Sequence, residues 1–225
     1  MEAAVAVGRP RSVARWTALG GVLYVVLFVI GTIVNFSGAP SGDDAPAKVI
    51  RWYSDSGHRD RVNIAWILIG LAVFFLLWFI GALRRAVSAI DGEGVLTAVV
   101  GIGGGVYAAL AFAAIALNDG IRTMSDDTYQ HRVFPELIHA ADDVTWIMHA
   151  SGAVGLGAMI IAASLAFMWS GTWPGWAGWL GVVAGILSLA SIAFFPQFLF
   201  LLWILVVSIW MFLRSKSPSR MAPVP

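Results

Sequence analysis

The stretch WAGWLGVVAGILSLASIAFFPQFLFLLWILVVSIWMFL, residues 176–213, carries no charge over 38 positions and is broken only by Pro196 and Gln197. As one helix it would be roughly 57 Å long at about 1.5 Å per residue, nearly twice the hydrocarbon thickness of a bilayer. A turn at Phe195-Pro196-Gln197 resolves the conflict and yields two spans, Trp176 to Phe194 and Gln197 to Leu213. A span needs about 20 mostly apolar residues, and the same criterion finds four more upstream. They are Trp16 to Phe36, Val62 to Leu83, Val95 to Leu117 and Val144 to Trp169. The expected fold is therefore all-α, a polytopic membrane protein with six transmembrane helices in one bundle.

Composition agrees. Of 225 residues, 59% are apolar and 12% charged, against roughly 45–50% and about 25% in soluble domains. The absence of Cys excludes a disulfide framework, a thiolate nucleophile, Cys-bound zinc and an iron–sulfur cluster together. A net charge of +1 leaves no footprint for nucleic acid. No Walker loop or dinucleotide fingerprint lies in a loop segment, and no Lys lies mid-span to carry a retinal Schiff base.

The expected organisation is a cytoplasmic basic N-terminus over 1–15, a transmembrane domain over 16–213, and a disordered cytoplasmic tail over 214–225, rich in Ser and Pro. Two long loops, 37–61 and 118–143, lie on the opposite side. Segments on the N-terminal side carry a net +5 and those on the loop side −4, so the positive-inside rule places both termini in the cytoplasm of a plasma-membrane protein. Arg9, Arg11 and Arg15 ahead of an apolar run also suit a signal peptide, with Ser37-Gly38-Ala39 as cleavage site. However, a signal core is about 7–15 residues and this run is 21, which favours an uncleaved helix.

In the first long loop, Asp44 and Pro46 can start a short helix whose Val49, Ile50, Trp52 and Tyr53 edge would lie on the membrane. In the second, Ser125 can cap a short turn ending near Phe134, and Pro135 fits the first position of a helix running into the fourth span. Trp16, Trp52, Trp169, Trp173, Trp176 and Trp179 fall near span ends, as interfacial anchors do. The spacings Gly101 to Gly105, Gly181 to Gly185, Ser151 to Gly155 and Ala153 to Gly157 suit close helix packing, either inside the bundle or across a dimer face.

One constellation carries chemistry. At about 100° per residue, His139, Asp142, Asp143, Trp146 and His149 share one helical stripe, and His149 lies inside the span. Asn35, Asn63, Asn118, Asp119, Arg122 and Gln197 gather at the same end of their spans. Three readings fit. The carboxylates and imidazoles can simply tie loop to helix, with Arg122 pairing with Asp119 or Asp142. His149, Asp142 and Asp143 can form an acid/base site, with Asn35, Asn63, Asp119, Arg122 and Trp146 binding a substrate. Or His139, Asp143 and His149 can hold a divalent metal, although no metal-binding motif is present.

The segments Arg15-Trp16-Thr17-Ala18-Leu19-Gly20-Gly21-Val22-Leu23-Tyr24 and Trp173-Pro174-Gly175-Trp176-Ala177-Gly178-Trp179-Leu180-Gly181, with Arg84-Arg85 closing the second span, resemble uncharacterised small six-helix membrane proteins of actinobacterial type. The resemblance implies an integral membrane protein without assigned activity and carries over no catalytic residue. With no catalytic motif present, the sequence favours an accessory protein in the lipid bilayer, acting through a membrane partner or as a homo-oligomer, and no cofactor. The rival is a small integral-membrane enzyme, such as a hydrolase, isomerase or terpene cyclase, or a small-molecule binder with an outward-facing site. An enclosed space lined by His149, Asp142 and aromatic residues would favour the rival.

Overall fold

The computed structural model describes residues 16–41, 44–123, 132–191, 193 and 196–214. Every regular element among them is a helix: α1 Gly20–Phe36, α2 Pro46–Tyr53, α3 Ser56–Asp91, α4 Val95–Thr123, α5 Pro135–Trp169, α6 Gly175–Ser188 and α7 Pro196–Arg214. Five are long and apolar enough to cross a membrane, the first including a helical lead-in from Trp16. They form a helical membrane bundle. α1, α3, α4, α5, α6 and α7 make a ring in which each packs on the next and α7 closes on α1. The C-terminal end of α7 meets the N-terminal end of α1, where Ser208 Oγ donates to the Ala18 carbonyl and accepts from Val22 N at 3.2 Å.

The expected span from Trp176 to Phe194 is cut short. α6 has 14 residues, about 21 Å, after which the backbone tightens into turns at Leu189, Ala190 and Ser191. Ser191 Oγ donates to the Ser188 carbonyl at 2.6 Å, a local bond that competes with continued helix. Phe195, in the expected turn, lies outside the described residues, as does Ser125. Pro196 opens α7, a position where its missing N–H leaves no helix bond unmade.

Two other ends are set by side chains. α3 begins at Ser56, inside the expected loop, because Asp55 accepts from His58 N at 3.2 Å. It ends at Gly92, whose φ of 64° suits glycine. The Asp91 carboxylate then accepts from Leu96 N at 2.9 Å and Thr97 N at 3.2 Å, so an acidic group sits on the positive end of α4.

α2 forms where expected, with Pro46 near its start. Asp44 does not cap it; its carboxylate accepts from Ser41 N and Lys48 Nζ, both at 2.8 Å, and these bonds hold its pKa below the usual value. Nor does its apolar edge lie on the membrane. Val49, Trp52 and Tyr53 are buried against Val62, Trp66, Ile69 and Ile138, so α2 covers the loop end of the bundle and only Ile50 stays outside. The tryptophans divide likewise. Trp16, Trp169, Trp176 and Trp179 are exposed as anchors should be, whereas Trp52 is core and Trp173 packs between Phe167 and Trp210 at 5.1 and 5.4 Å.

The ring packs through backbone as much as side chains. At the α4–α5 crossing Gly103 faces Gly155, and at the α5–α6 crossing Gly157 faces Gly185 while Gly181 faces Ser164. Those small residues therefore serve packing within the bundle. Deep in the core, Tyr24 and Tyr107 share a hydroxyl hydrogen bond of 3.0 Å. Tyr24→Phe alone should cost about 1–2 kcal/mol, because it strips the buried Tyr107 hydroxyl of its partner. Tyr24→Phe/Tyr107→Phe should cost less than the sum of the single changes; thermal midpoints of the three variants check this.

Candidate functional site

α5 enters the bundle from the loop end, and its stripe faces inward. His139, Asp142, Asp143, Thr145, Trp146 and His149 all line one cleft of about 990 Å³. The opposite wall is α1, through Phe28, Val29, Thr32, Ile33, Asn35 and Phe36, with Ala39 to Ser41 above it. Trp66 and Ile69 of α3 and Asn118 of α4 form the back, and Gln197, Phe198 and Leu201 of α7 complete the lining. α1 and α5 scarcely touch each other, which leaves the space between them open.

One side of the cleft is tied by a polar network. Asp142 Oδ1 accepts from Asn118 Nδ2 at 3.0 Å and from Arg122 Nη2. The second hydrogen of Asn118 Nδ2 reaches Thr145 Oγ1 at 3.1 Å. Arg122 Nη1 donates to Asn35 Oδ1 at 3.4 Å, and its guanidinium lies 5.5 Å from the centre of the Tyr53 ring. Arg122 thus holds α1, α2 and α5 to the end of α4. Tyr53 is pushed up to about 12, first by burial and then by Asp142, against the lowering effect of Arg122, so its hydroxyl stays protonated.

His149 Nδ1 lies 3.0 Å from the Thr145 carbonyl. A carbonyl oxygen can only accept, so Nδ1 carries the proton, leaving Nε2 as the acceptor nitrogen in the neutral ring. His149 is thus oriented by backbone, and Asp142 is held by Arg122 and Asn118. No Asp–His dyad exists between them. Asp143, at the exposed edge, makes no ion pair among the described residues.

Of the expected site residues, His139, Asp142, Asp143, Trp146, His149 and Asn35 meet in the cleft, with Gln197 and Asn118. Asn63 and Asp119 are outside its lining, and Arg122 stands behind it, acting through Asp142 and Asn35. His139, Asp143 and His149 share the cleft without converging, and no group of three metal-ligating side chains forms among the described residues. Thr32, Trp66, Thr145, Phe198 and Leu201 were not expected. Only Thr32 carried a signal, lying one turn below Asn35 on α1. Comparison with family models, curated proteins and solved structures finds no match.

Proposed function

We propose that the chain is a plasma-membrane protein that binds a small molecule in this cleft, with the loop end outside and both termini cytoplasmic. The observation that carries the reading is that the polar stripe of α5 faces a space of about 990 Å³ with aromatic walls, at the upper end of the roughly 300–1,000 Å³ typical of ligand sites. Binding is favoured over acid/base catalysis because Asp142 is neutralised by Arg122 and His149 leans on a backbone carbonyl. Orientation rests on the charge split of the loops.

The absence of cysteine makes a direct test available. His149→Cys should react with a membrane-impermeant maleimide added outside intact cells, whereas Ala163→Cys, at a buried core position, should not. A solvent extract of the purified protein should also contain a small molecule that a cleft-filling Thr32→Trp protein lacks. An unreactive His149→Cys together with identical extracts would sink the reading.

A further inference from the structure

We propose, resting on the reading of the cleft as a ligand site, that its ligand is a single-chain amphiphile with an ammonium head, taken sideways from the membrane between α1 and α7. Three observations carry this.

The first is the side opening. α1 and α7 meet through the halves far from the loop end, at Ala18, Val22 and Ser208, and Gly21 is close to Ser208 and Ile204. At the loop end the two helices instead face the cleft. There Ile33 and Phe36 of α1 and Phe198 of α7 are 63%, 67% and 54% exposed while also lining it. A cleft wall that is at once apolar and open to the outside of the ring presents a side entrance to lipid, beside the polar loop end that opens to water.

The second is the polarity gradient. From His139 to His149 the cleft descends about 15 Å along α5, at about 1.5 Å per residue. Ser41, His139, Asp142, Asp143 and Gln197 lie at its upper end. Phe28, Val29 and Leu201, each about one to two helical turns further in, make its inner end mainly apolar, with His149 at the same depth. This matches a head held near the surface and a tail lying among side chains.

The third is charge. Asp142 is paired with Arg122, whereas Asp143 is an exposed carboxylate with no ion pair among the described residues. Gln197 adds an amide acceptor without charge. The head region is therefore net negative, and the rings of Trp146 and Phe198 belong to the same lining. An anionic head would meet the Asp143 carboxylate, while the Arg122 guanidinium behind the lining is already engaged by Asp142 and Asn35.

The test uses the full chain in phosphatidylcholine nanodiscs and a decyltrimethylammonium probe bearing a diazirine at the tail end. Crosslinks should map to Phe28, Val29, Ile69 or Leu201. Unlabelled decyltrimethylammonium should compete, while decyl sulfate and tetramethylammonium should not. Asp143→Asn, at an exposed position and so expected to keep the parent's melting temperature, should reduce labelling at least tenfold, and Ile33→Trp should block it. Cleft labelling that decyl sulfate or tetramethylammonium suppresses equally, or that survives Asp143→Asn undiminished, overturns the ammonium amphiphile and leaves the cleft as a ligand site. Labelling confined to lipid-facing residues such as Ile67 and Val183, with an unreactive His149→Cys, overturns both.

Discussion

Gly103→Leu should prevent the bundle from assembling. A Cβ at position 103 would stand 2.4 Å from the Gly155 carbonyl oxygen and 3.2 Å from Met159 N, both backbone atoms of α5. Backbone cannot rotate aside as a side chain can, so the helices must separate. The reciprocal contact, from a Cβ at 155 to the Gly103 oxygen, is 2.6 Å, which confirms that the crossing is closed from both sides. Overpacking typically costs about 1–3 kcal/mol, and a side chain as large as Leu against two backbone groups should exceed about 3 kcal/mol. In lipid this loss is not softened, because helix association there rests on close packing rather than on a hydrophobic drive. The control lies two residues away. Gly105 has nothing within 4 Å of its Cβ position, so Gly105→Ala should leave stability unchanged or raise it by up to about 1 kcal/mol through helix propensity, with the melting temperature following. Thermal midpoints of purified protein decide the matter; a Gly103→Leu protein melting with the parent would refute the crossing.

How far such features could be read from the sequence depends on what kind of property each is. The apolar runs are local, so the spans of α1, α3, α4, α5 and α7 were legible. So was Pro135 as the start of α5, because a proline's missing N–H is a local fact. The end of α6 was not. No charge or proline marks it between Leu187 and Phe194; the backbone tightens into i→i−3 bonds from Leu189 on, and the Ser191 hydroxyl adds a bond to the Ser188 carbonyl there. α3 was expected from Val62 because Arg59, Asp60 and Arg61 fail an apolar criterion, although they continue the same helix up to the Asp55 cap. The fate of Trp52 and Trp173 turned on tertiary contacts: proximity to a span end looks the same whether a ring meets lipid or, as at Trp173, meets Phe167 and Trp210.

The site divides along the same line. Helical periodicity brought His139, Asp142, Asp143, Trp146 and His149 to one face, and that face does line the cleft. Periodicity says nothing about what stands opposite. Phe28, Thr32, Phe198 and Leu201 are ordinary membrane-helix residues whose role comes only from the divergence of α1 and α7. Asn63, singled out for its polarity near a helix end, belongs to α3 but not to the cleft lining.

The second large effect is at the Arg122–Asp142 pair, where the two partners should not be equivalent. The Arg122 side chain is 7% exposed and that of Asp142 is 43% exposed. Arg122→Met leaves a carboxylate that water in the cleft can still solvate and that Asn118 Nδ2 still contacts, so the cost should be about 1 kcal/mol, in the range of a partly exposed ion pair. Asp142→Leu takes the paired carboxylate from a guanidinium that water hardly reaches and leaves it Asn35 at 3.4 Å, the Tyr53 ring and the attraction of the Asp119 carboxylate as weaker compensation. Removing one partner of a buried pair costs about 3–5 kcal/mol, and the remaining contacts should bring this to about 2–4 kcal/mol. The double variant Arg122→Met/Asp142→Leu removes that buried charge as well and should recover most of the loss, so that the pair shows a coupling of at least about 1 kcal/mol in a double-mutant cycle. Added salt should rescue Asp142→Leu little, since screening acts weakly on a buried charge. Melting temperatures of the four proteins at low and high ionic strength measure all of these terms together. An Asp142→Leu protein no less stable than Arg122→Met would mean that Arg122 is solvated, and that the clasp joining α1, α2 and α5 at the head of the cleft does not depend on its charge.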